Sequence, residues 1–409
     1  MRKAGLAPPG WLVLLGLLGS LASGAEANMK VSSFDGAVTA EELQSFNNYI
    51  ATLEPASDNV GNNWAQGHSG EQTKAMGLVY LMAGQQDTLD NMLWFCDAVL
   101  SERNDIAKAP VGQHEVWTGG IDPVWPNDVD SEPVSTEGAQ GDPVGHLASC
   151  ANLILRNETL YDLKPSIGDD YGYGATYKER AQTYVDQADY AMSKHILSRL
   201  LDLSHDNKMY FASDGPYKPG DAVPWNQQMM FNYAFQNLAD AHRILKDNAT
   251  LRNTYKNLVF ASLDWFFEGG GSTNKTSEAG STYYDWDYAV GGSVEDSNHG
   301  SLDVAGFYRA YVDQNYAITS EQMKPFANMF VDVMTLGNGS YAGTVEGGCK
   351  SSHAACIDYI RSGYLLLAEF RPDAYEDMMG ADLEEGGTTT STDVFSRFLW
   401  VKNQRARNS

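Results

Sequence analysis

The sequence predicts an all-α protein, arranged as an (α/α) barrel or toroid of consecutive helical hairpins in a single domain. Three observations predict this class. Apolar residues recur along most of the 409-residue chain at the i, i+3, i+4 and i+7 spacing of amphipathic helices. Period-two alternation, which marks half-buried strands, is scarce. Glycine and proline lie at the joints between periodic segments, and no low-complexity linker separates them.

The first residues have the features of a secretory signal peptide, which we predict over residues 1–27. Arg2 and Lys3 precede an apolar run over residues 11–21, and small residues follow at 25–27. Asn-X-Ser/Thr sequons begin at Asn157, Asn248, Asn274 and Asn338 and would carry glycans on a eukaryotic secretory route. We therefore expect residues 28–409 to form a secreted, extracellular catalytic domain with no membrane partner.

The helices follow in order along the chain. Thr39 and Glu42 form a capping box at the start of the first helix. Helical segments at 70–84 and 87–105 are joined by a short break, and another spans about 174–203. The clearest hairpin covers 225–270, where both halves place their apolar residues on one face and residues 247–248 supply the turn. Further helices are predicted at about 296–315, 319–336, 353–370 and 392–401.

Composition limits the partners of the protein. The net charge of −25 argues against nucleic acid and, less strongly, against other polyanions. The cysteines Cys96, Cys150, Cys349 and Cys356 allow three pairings. The short separation of the last two favours a small loop between them, and the first two could form a second disulfide. Glu295, His299 and Asp303 have the i, i+4, i+8 spacing of a possible metal site, but no zinc-type or HExxH spacing occurs, so we expect no metal and no cofactor. We also expect the protein to be a monomer.

One long segment, residues 106–146, does not follow the helical pattern. It is rich in proline and carries two tryptophans, and long irregular loops are usually functional or disordered. Trp117 is a candidate sugar platform, because an aromatic face stacks well on the C–H groups of a pyranose. His146 ends this segment, begins a helix, and is a candidate to line a cleft.

Residues 283–311 contain the largest group of candidate catalytic side chains in the sequence. Glu295 and His299 are four residues apart, at the predicted start of a helix, where the helix dipole favours a carboxylate. Tyr288 precedes them on the aromatic face of an extended piece that also presents Trp286. A tyrosine close to a histidine can remove and deliver protons in β-elimination on a uronic acid. Arg309 lies on the same helix and could supply a positive charge near the tyrosine.

Residues at the start of the clearest hairpin form a second candidate surface. Trp225, Asn226 and Gln227 combine an aromatic ring with two amides, which suits sugar hydroxyls or a uronate carboxylate. Asn226 could instead act only as a helix cap.

The helical hairpins, the W-x-Y element of Trp286 and Tyr288, and the ED-x-x-H-x-x-x-D element from Glu295 to Asp303 resemble secreted (α/α)-barrel polysaccharide lyases. They resemble polysaccharide lyase family 38 in particular, whose members cleave alginate or glucuronan. The layout is similar over most of residues 28–409, with specific matches near 225–227 and 284–309.

The resemblance implies that Tyr288 and His299 transfer protons and that Asn226, His146 or Arg309 neutralises the substrate carboxylate. It implies an alginate- or glucuronan-type polysaccharide as the substrate. The negative net charge departs from this picture, because such a substrate is itself anionic.

Two alternatives remain open at the level of sequence. A glycoside hydrolase of the same helical fold would pair an acid among Asp285, Asp287 and Glu295 with a base elsewhere, at a separation that the sequence does not define. A non-catalytic carbohydrate-binding wall protein would keep the aromatic residues and could dispense with the acid–base groups.

Overall fold

A computed structural model of the protein describes residues 28–130, 132–350 and 354–408 and is mostly helical, as the sequence predicts. The predicted signal peptide, residues 1–27, lies outside the described residues. The α-helices in the described residues are α1 (Ala40–Ile50), α2 (Gly61–Ala65), α3 (His68–Ala83), α4 (Gln86–Ser101), α5 (Gly141–Leu155), α6 (Tyr177–Ala191), α7 (Trp225–Leu245), α8 (Ala249–Phe267), α9 (Ser297–Asp313), α10 (Ser320–Met329), α11 (Tyr375–Gly380) and α12 (Thr392–Asn408).

In the described residues, α1, α6, α8, α9 and α10 each begin after a residue whose side chain caps the helix. The Thr39 hydroxyl accepts the N–H of Glu42 at 3.1 Å, and the Glu42 carboxylate accepts the N–H of Thr39 at 2.8 Å. The predicted hairpin is α7 followed by α8: Lys246 ends α7 in a left-handed conformation, and the Asn248 side chain caps α8. The capping box and the 225–270 hairpin are therefore confirmed.

The prediction of a helix over 353–370 is wrong for most of its length. Only a 3-10 segment, Ser362–Glu369, forms there, and residues 351–353 lie outside the described residues. Gly363 packs so closely on Ser301 of α9 that a Cβ would overlap it, and its N–H donates to the Ser301 hydroxyl at 3.0 Å. Pro372 then disfavours helical geometry at the preceding residue. These contacts fix a short tight segment in place of a longer helix.

The strands in the described residues form four two-stranded antiparallel pairs. They are β1 (Met29–Lys30) with β8 (Thr388–Thr389), β2 (Leu201–Asp202) with β3 (Tyr210–Phe211), β4 (Ser272–Thr276) with β5 (Thr282–Trp286), and β6 (Thr335–Gly337) with β7 (Ser340–Tyr341). The β4–β5 pair is the longest and leads directly into the loop that carries Tyr288.

The helices pack in two layers. In the first, α3, α5, α7, α9, the 3-10 segment Ser362–Glu369 and α12 each contact the next, and α12 contacts α3. The second layer packs on the first: α4 packs on α3 and α5, α6 on α5, α8 on α7, and α10 on α9. Residues of both layers contribute to the large hydrophobic core.

The helices α5, α7 and α9 run in the same direction. Along α5 and α7, Asn152 bonds to Asn237 at 3.1 Å and Arg156 bonds to Asp240 at 2.9 Å, so contacts advance together. A Cβ at Gly306 of α9 would overlap Met229 of α7, and Arg309 lies over the Tyr233 ring one turn later. The first turns of α7 and α9 therefore lie at the same end of the helical layer.

Two cysteine pairs lie at disulfide distance, Cys96 with Cys150 and Cys349 with Cys356. This is one of the three pairings that the sequence allows, and two disulfides are compatible with an extracellular protein. Among the described residues, none of the helices has the length and apolar character needed to span a bilayer.

Candidate functional site

His299 lies in the first turn of α9 and is oriented by the residue that caps this helix. One carboxylate oxygen of Asp296 accepts the N–H groups of Asn298 at 2.8 Å and His299 at 3.0 Å, and the other lies 2.7 Å from Nδ1 of His299. Nδ1 therefore carries the proton that bonds to Asp296, and Nε2 of the neutral ring is left as a proton acceptor. In the described part of the chain Nε2 has no hydrogen-bond partner, and the side chain is 27% exposed.

Asp296 is ionised when it orients His299. Burial raises the pKa of its carboxyl group, but the hydrogen bonds and charge of His299, together with the backbone N–H groups, outweigh this and leave the pKa below its usual value. The histidine is thus held by an anion at one nitrogen and open at the other.

Tyr288 lies beside His299 in the loop that follows β5. The two ring centroids are 4.9 Å apart. The Tyr288 N–H donates to Ser293 at 2.7 Å, and its carbonyl accepts the N–H of Trp225 at 3.1 Å, at the start of α7. The loop is therefore anchored to the start of α7, which the sequence analysis names as a second candidate surface.

A loop between β3 and α7 adds two side chains that the sequence analysis missed. The Lys218 ammonium lies 4.4 Å from the centroid of the Tyr288 ring. The Tyr217 hydroxyl accepts a hydrogen bond from Gln227 at 3.1 Å and interacts with the Tyr288 hydroxyl. Lys218 has a φ of 42°, a conformation that costs a non-glycine residue on the order of 1–3 kcal/mol and that often marks functional sites.

Glu137 completes this group from the loop before α5. Its carboxyl group is hydrogen-bonded to Tyr217 and Asn127. Burial raises the pKa of Glu137, and these bonds and the Lys218 charge lower it in part. We define Tyr217, Lys218, Tyr288, His299 and Glu137 as the tyrosine–histidine cluster.

The electrostatics of the cluster keep its tyrosines protonated. Burial, followed by the nearby Tyr217 and Glu295, raises the pKa of Tyr288 far above its usual value. Burial and Glu137 raise the pKa of Tyr217 to about 12. Burial also lowers the pKa of Lys218, although neighbouring carboxylates oppose this. At neutral pH, Tyr288 is therefore protonated and is not a base, and its raised pKa makes the hydroxyl a weaker acid than that of a free tyrosine.

Glu295 is fully buried next to His299. It is 0% exposed, and one of its oxygens is 4.0 Å from Nδ1 of His299. Its carboxyl group pairs with Asp303, which accepts the indole N–H of Trp286 at 2.8 Å. Burial raises the pKa of both acids, so the pair holds a proton at neutral pH. Glu295 can act on His299 electrostatically at this distance, but its burial prevents it from contacting a ligand.

The predicted surface at the start of α7 is largely buried. Trp225 packs against Phe266, with ring centroids 5.1 Å apart, and is 0% exposed. Trp286 is also buried, so neither ring offers a face to a sugar. Gln227 reaches the cluster through Tyr217. Asn226 is buried, and its carbonyl oxygen has no hydrogen-bond partner among the described residues.

The structure does not bring Trp117 or Arg309 to the cluster. Trp117 is half-buried, with Arg199 5.6 Å from its ring centroid and His195 on its edge. Arg309 follows His299 on α9 by ten residues, which is about 15 Å along a helix axis. Its guanidinium lies 4.3 Å from the Tyr233 ring centroid, in a different cavity.

His146 is fully buried inside the helical layer. Its Nε2 lies 2.6 Å from the Trp64 carbonyl oxygen, and its Nδ1 lies 3.5 Å from the Tyr233 hydroxyl. Burial, with smaller contributions from Lys74 and Arg309, lowers the pKa of His146 to about 3. His146 is therefore neutral at pH 7 and packs in the core. The prediction that His146 lines a cleft is wrong, because its side chain is fully buried.

This burial predicts how His146→Gln changes the pH dependence of stability. Between pH values of about 6.5 and 3, the unfolded chain binds a proton at His146 and the folded chain does not, so falling pH favours unfolding. Wild-type stability should therefore fall, relative to the variant, by about 1.4 kcal/mol per pH unit in this window. The free energies of unfolding in urea at pH 7, 6 and 5 measure the difference. Parallel pH profiles for the two proteins would contradict the prediction.

Glu295, Asp296 and His299 could also hold a metal ion. Their ligand atoms lie within 4.8 Å of one another, and this set of nitrogen and carboxylate oxygen donors suits several divalent transition metals. In the described geometry, however, Nδ1 of His299 bonds to Asp296, and Glu295 pairs with Asp303. Metal binding would have to replace both interactions.

The sequence matches no protein-family model and none of the curated proteins with which it was compared.

Proposed function

We propose that this protein is a secreted polysaccharide lyase that cleaves a uronic-acid-containing polysaccharide, of the alginate or glucuronan type, by β-elimination. One observation carries the proposal: a protonated tyrosine, a histidine with a free Nε2 and a lysine lie side by side at a half-exposed surface. These are the groups that the reaction needs, because it moves one proton off carbon, one onto oxygen, and places negative charge on a carboxylate.

The closed circuit of helix contacts supports an (α/α) barrel as the scaffold. In this arrangement the first layer of helices forms the inner ring and the second layer forms the outer ring. The tyrosine–histidine cluster then occupies the end of the ring where α7 and α9 begin.

The steps of the proposed reaction follow from the geometry. Nε2 of His299 removes the C5 proton of the uronate, and Asp296 stabilises the imidazolium that results. The electrons of the C5–H bond form the C4–C5 double bond, and the bond from C4 to the bridging oxygen breaks. Tyr288 donates its proton to that oxygen, and solvent returns the proton from His299 to Tyr288. One product carries the unsaturated uronate at its non-reducing end, and the other keeps the bridging oxygen as the hydroxyl of its new reducing end.

Lys218 takes the role of neutralising the uronate carboxylate. The resemblance offered Asn226, His146 or Arg309, but the first two are buried and the third is remote from Tyr288. Lys218 supplies a cation beside Tyr288. This local positive charge would attract the uronate carboxylate although the net charge of the chain is −25.

Glu137 supports a glycoside hydrolase as a second candidate. It is a carboxyl group with a raised pKa in the same cluster, and such a group can act as a general acid. A hydrolase would need a second carboxylate facing the opening. Asp296 is an ionised carboxylate next to the cluster, but its two oxygens already bond to His299 and to the start of α9.

A substrate panel distinguishes these activities. The secreted protein is incubated with alginate, glucuronan and a neutral glucan, with and without a chelator, and both ultraviolet absorbance and reducing ends are followed. Lyase activity gives absorbing, unsaturated ends on a uronan in both conditions. Reducing ends without absorbance indicate a hydrolase, and binding without either product indicates a carbohydrate-binding protein.

Lys218→Met should lower kcat/KM for the uronan by about 100-fold, because an electrostatic donor to the developing negative charge is lost. Lys218→Arg keeps the charge and should recover part of the activity. Lys208→Met is the matched control, since Lys208 also lies over an aromatic ring, 5.2 Å from the Trp265 centroid, outside the cluster. Equal losses of kcat/KM in Lys218→Met and Lys208→Met would show that Lys218 does not neutralise the uronate carboxylate.

A further inference from the structure

A cavity of about 460 Å³ lies away from the tyrosine–histidine cluster. It is formed by the later turns of α3, α5, α7 and α9 together with α12. Its volume falls in the range of small-molecule sites. Tyr233, Tyr308 and Trp400 contribute aromatic surface, and amides and cations contribute polar surface. The His299 and Arg309 positions are separated by about 15 Å along α9.

Arg309 is the cation of this cavity that forms no salt bridge with the described residues, although the charge of Asp142 acts on it. Lys74, Arg156, Arg243 and Arg397 also line the cavity, and each forms an ion pair with an aspartate. Arg309 has no ion pair or hydrogen bond with any of the described residues and contacts the Tyr233 ring. Burial lowers the pKa of Arg309, and the charge of Asp142 opposes this. A guanidinium that lines a cavity and forms no salt bridge can bind an anion.

Gln236 gives a second, independent indication of a ligand. It lines the same cavity and is 4% exposed, yet neither its amide nitrogen nor its carbonyl oxygen has a partner in the described structure. Asn152, also 4% exposed, leaves its carbonyl oxygen unpaired in the cavity wall. Buried amides without partners are costly, and a ligand with hydroxyl groups would satisfy them.

We propose that this cavity binds a small hydroxylated anion, carrying a carboxylate or phosphate group, that pairs with Arg309 and bonds through its hydroxyls to Gln236. Tyr233, Tyr308 and Trp400 would pack against the sugar ring of such an anion. Arginine recognises carboxylate and phosphate through the same planar fork, so the two sources share one chemistry. This binding does not depend on catalysis at Tyr288.

Calorimetric titration of the full chain tests the site. The probes are glucuronate, glucose 6-phosphate and uncharged glucose. At least one anion should bind and glucose should bind at least tenfold more weakly. The anion that binds better identifies the source of the acid group, and equal binding indicates recognition of either oxyanion. Absence of binding by both anions overturns the proposal.

Variants place the binding in this cavity. Arg309→Gln should weaken the anion by about 10- to 100-fold, the loss expected for a charge-assisted hydrogen bond. Gln236→Leu keeps the side-chain volume and should also weaken binding, which covers the case in which Arg309→Gln does not fold. Arg252→Gln, on α8, is the control for loss of an arginine. Anion binding that is weakened in Lys218→Met and unchanged in both Arg309→Gln and Gln236→Leu would assign the anion to the tyrosine–histidine cluster and refute the cavity.

Discussion

Tyr288→Phe should reduce kcat for uronan cleavage by about 100- to 10,000-fold, the range expected for loss of a positioned general acid. The substitution removes only the hydroxyl, which interacts with Tyr217 in the free protein. The ring stays in place between Lys218 and His299, and the backbone of residue 288 keeps its bonds to Ser293 and Trp225. Substrate binding should therefore change little, so that the effect falls on kcat rather than on KM.

Tyr284→Phe is the matched control for this experiment. Tyr284 lies on β5, four residues earlier, and its ring packs on Phe326 with centroids 4.9 Å apart. Initial rates of unsaturated-product formation and circular dichroism spectra compare the two variants with the wild type. Normal activity in Tyr288→Phe, or an equal loss in Tyr284→Phe, would exclude Tyr288 as the proton donor.

Lys402→Met should lower the free energy of unfolding by about 3–5 kcal/mol, the cost of leaving a buried charge without its partner. Lys402 of α12 is 1% exposed and bonds to both oxygens of Glu42 at 2.8 and 3.0 Å, and Glu42 is 0% exposed. Its ammonium also donates to the Ser33 carbonyl at 2.6 Å. This contact joins the first helix to the last one.

A double variant separates the charge from the packing. Glu42→Gln removes the unpaired anion but keeps a side chain that can complete the capping box of α1. Lys402→Met with Glu42→Gln should therefore be more stable than Lys402→Met alone, as measured by urea unfolding. Lys30→Met breaks the exposed Lys30–Glu41 pair and should cost less than about 1 kcal/mol. A loss in Lys402→Met as small as that in Lys30→Met would refute the buried-pair argument.

The fold was predictable from sequence where local signals decide the structure. Thr39 with Glu42 marked a helix start by side-chain chemistry alone, and the apolar spacing of 225–270 defined two helices and their turn. The segment 353–370 has an equally apolar stretch, but contacts of Gly363 and Tyr364 with α9 decide its conformation. Those partners lie about 60 residues away in sequence, so no local pattern carries the information.

The candidate site was predictable only where the chain itself brings residues together. Tyr288 and His299 are close in sequence and lie 4.9 Å apart in space. Lys218 and Glu137 come from distant loops, and the only sequence signal was a tyrosine–lysine pair in the glycine- and proline-rich loop 213–221. Arg309 shares a helix with His299, but ten residues of helix carry it into another cavity.

The summed mass of the products tests the central claim most directly. The wild-type protein is incubated with a purified uronan oligosaccharide, and the fragments are weighed by mass spectrometry. β-Elimination adds no water, so the account predicts that one fragment is unsaturated and that the two masses sum to that of the substrate. A summed mass that exceeds the substrate by one water, with no unsaturated fragment, would show hydrolysis and contradict the account.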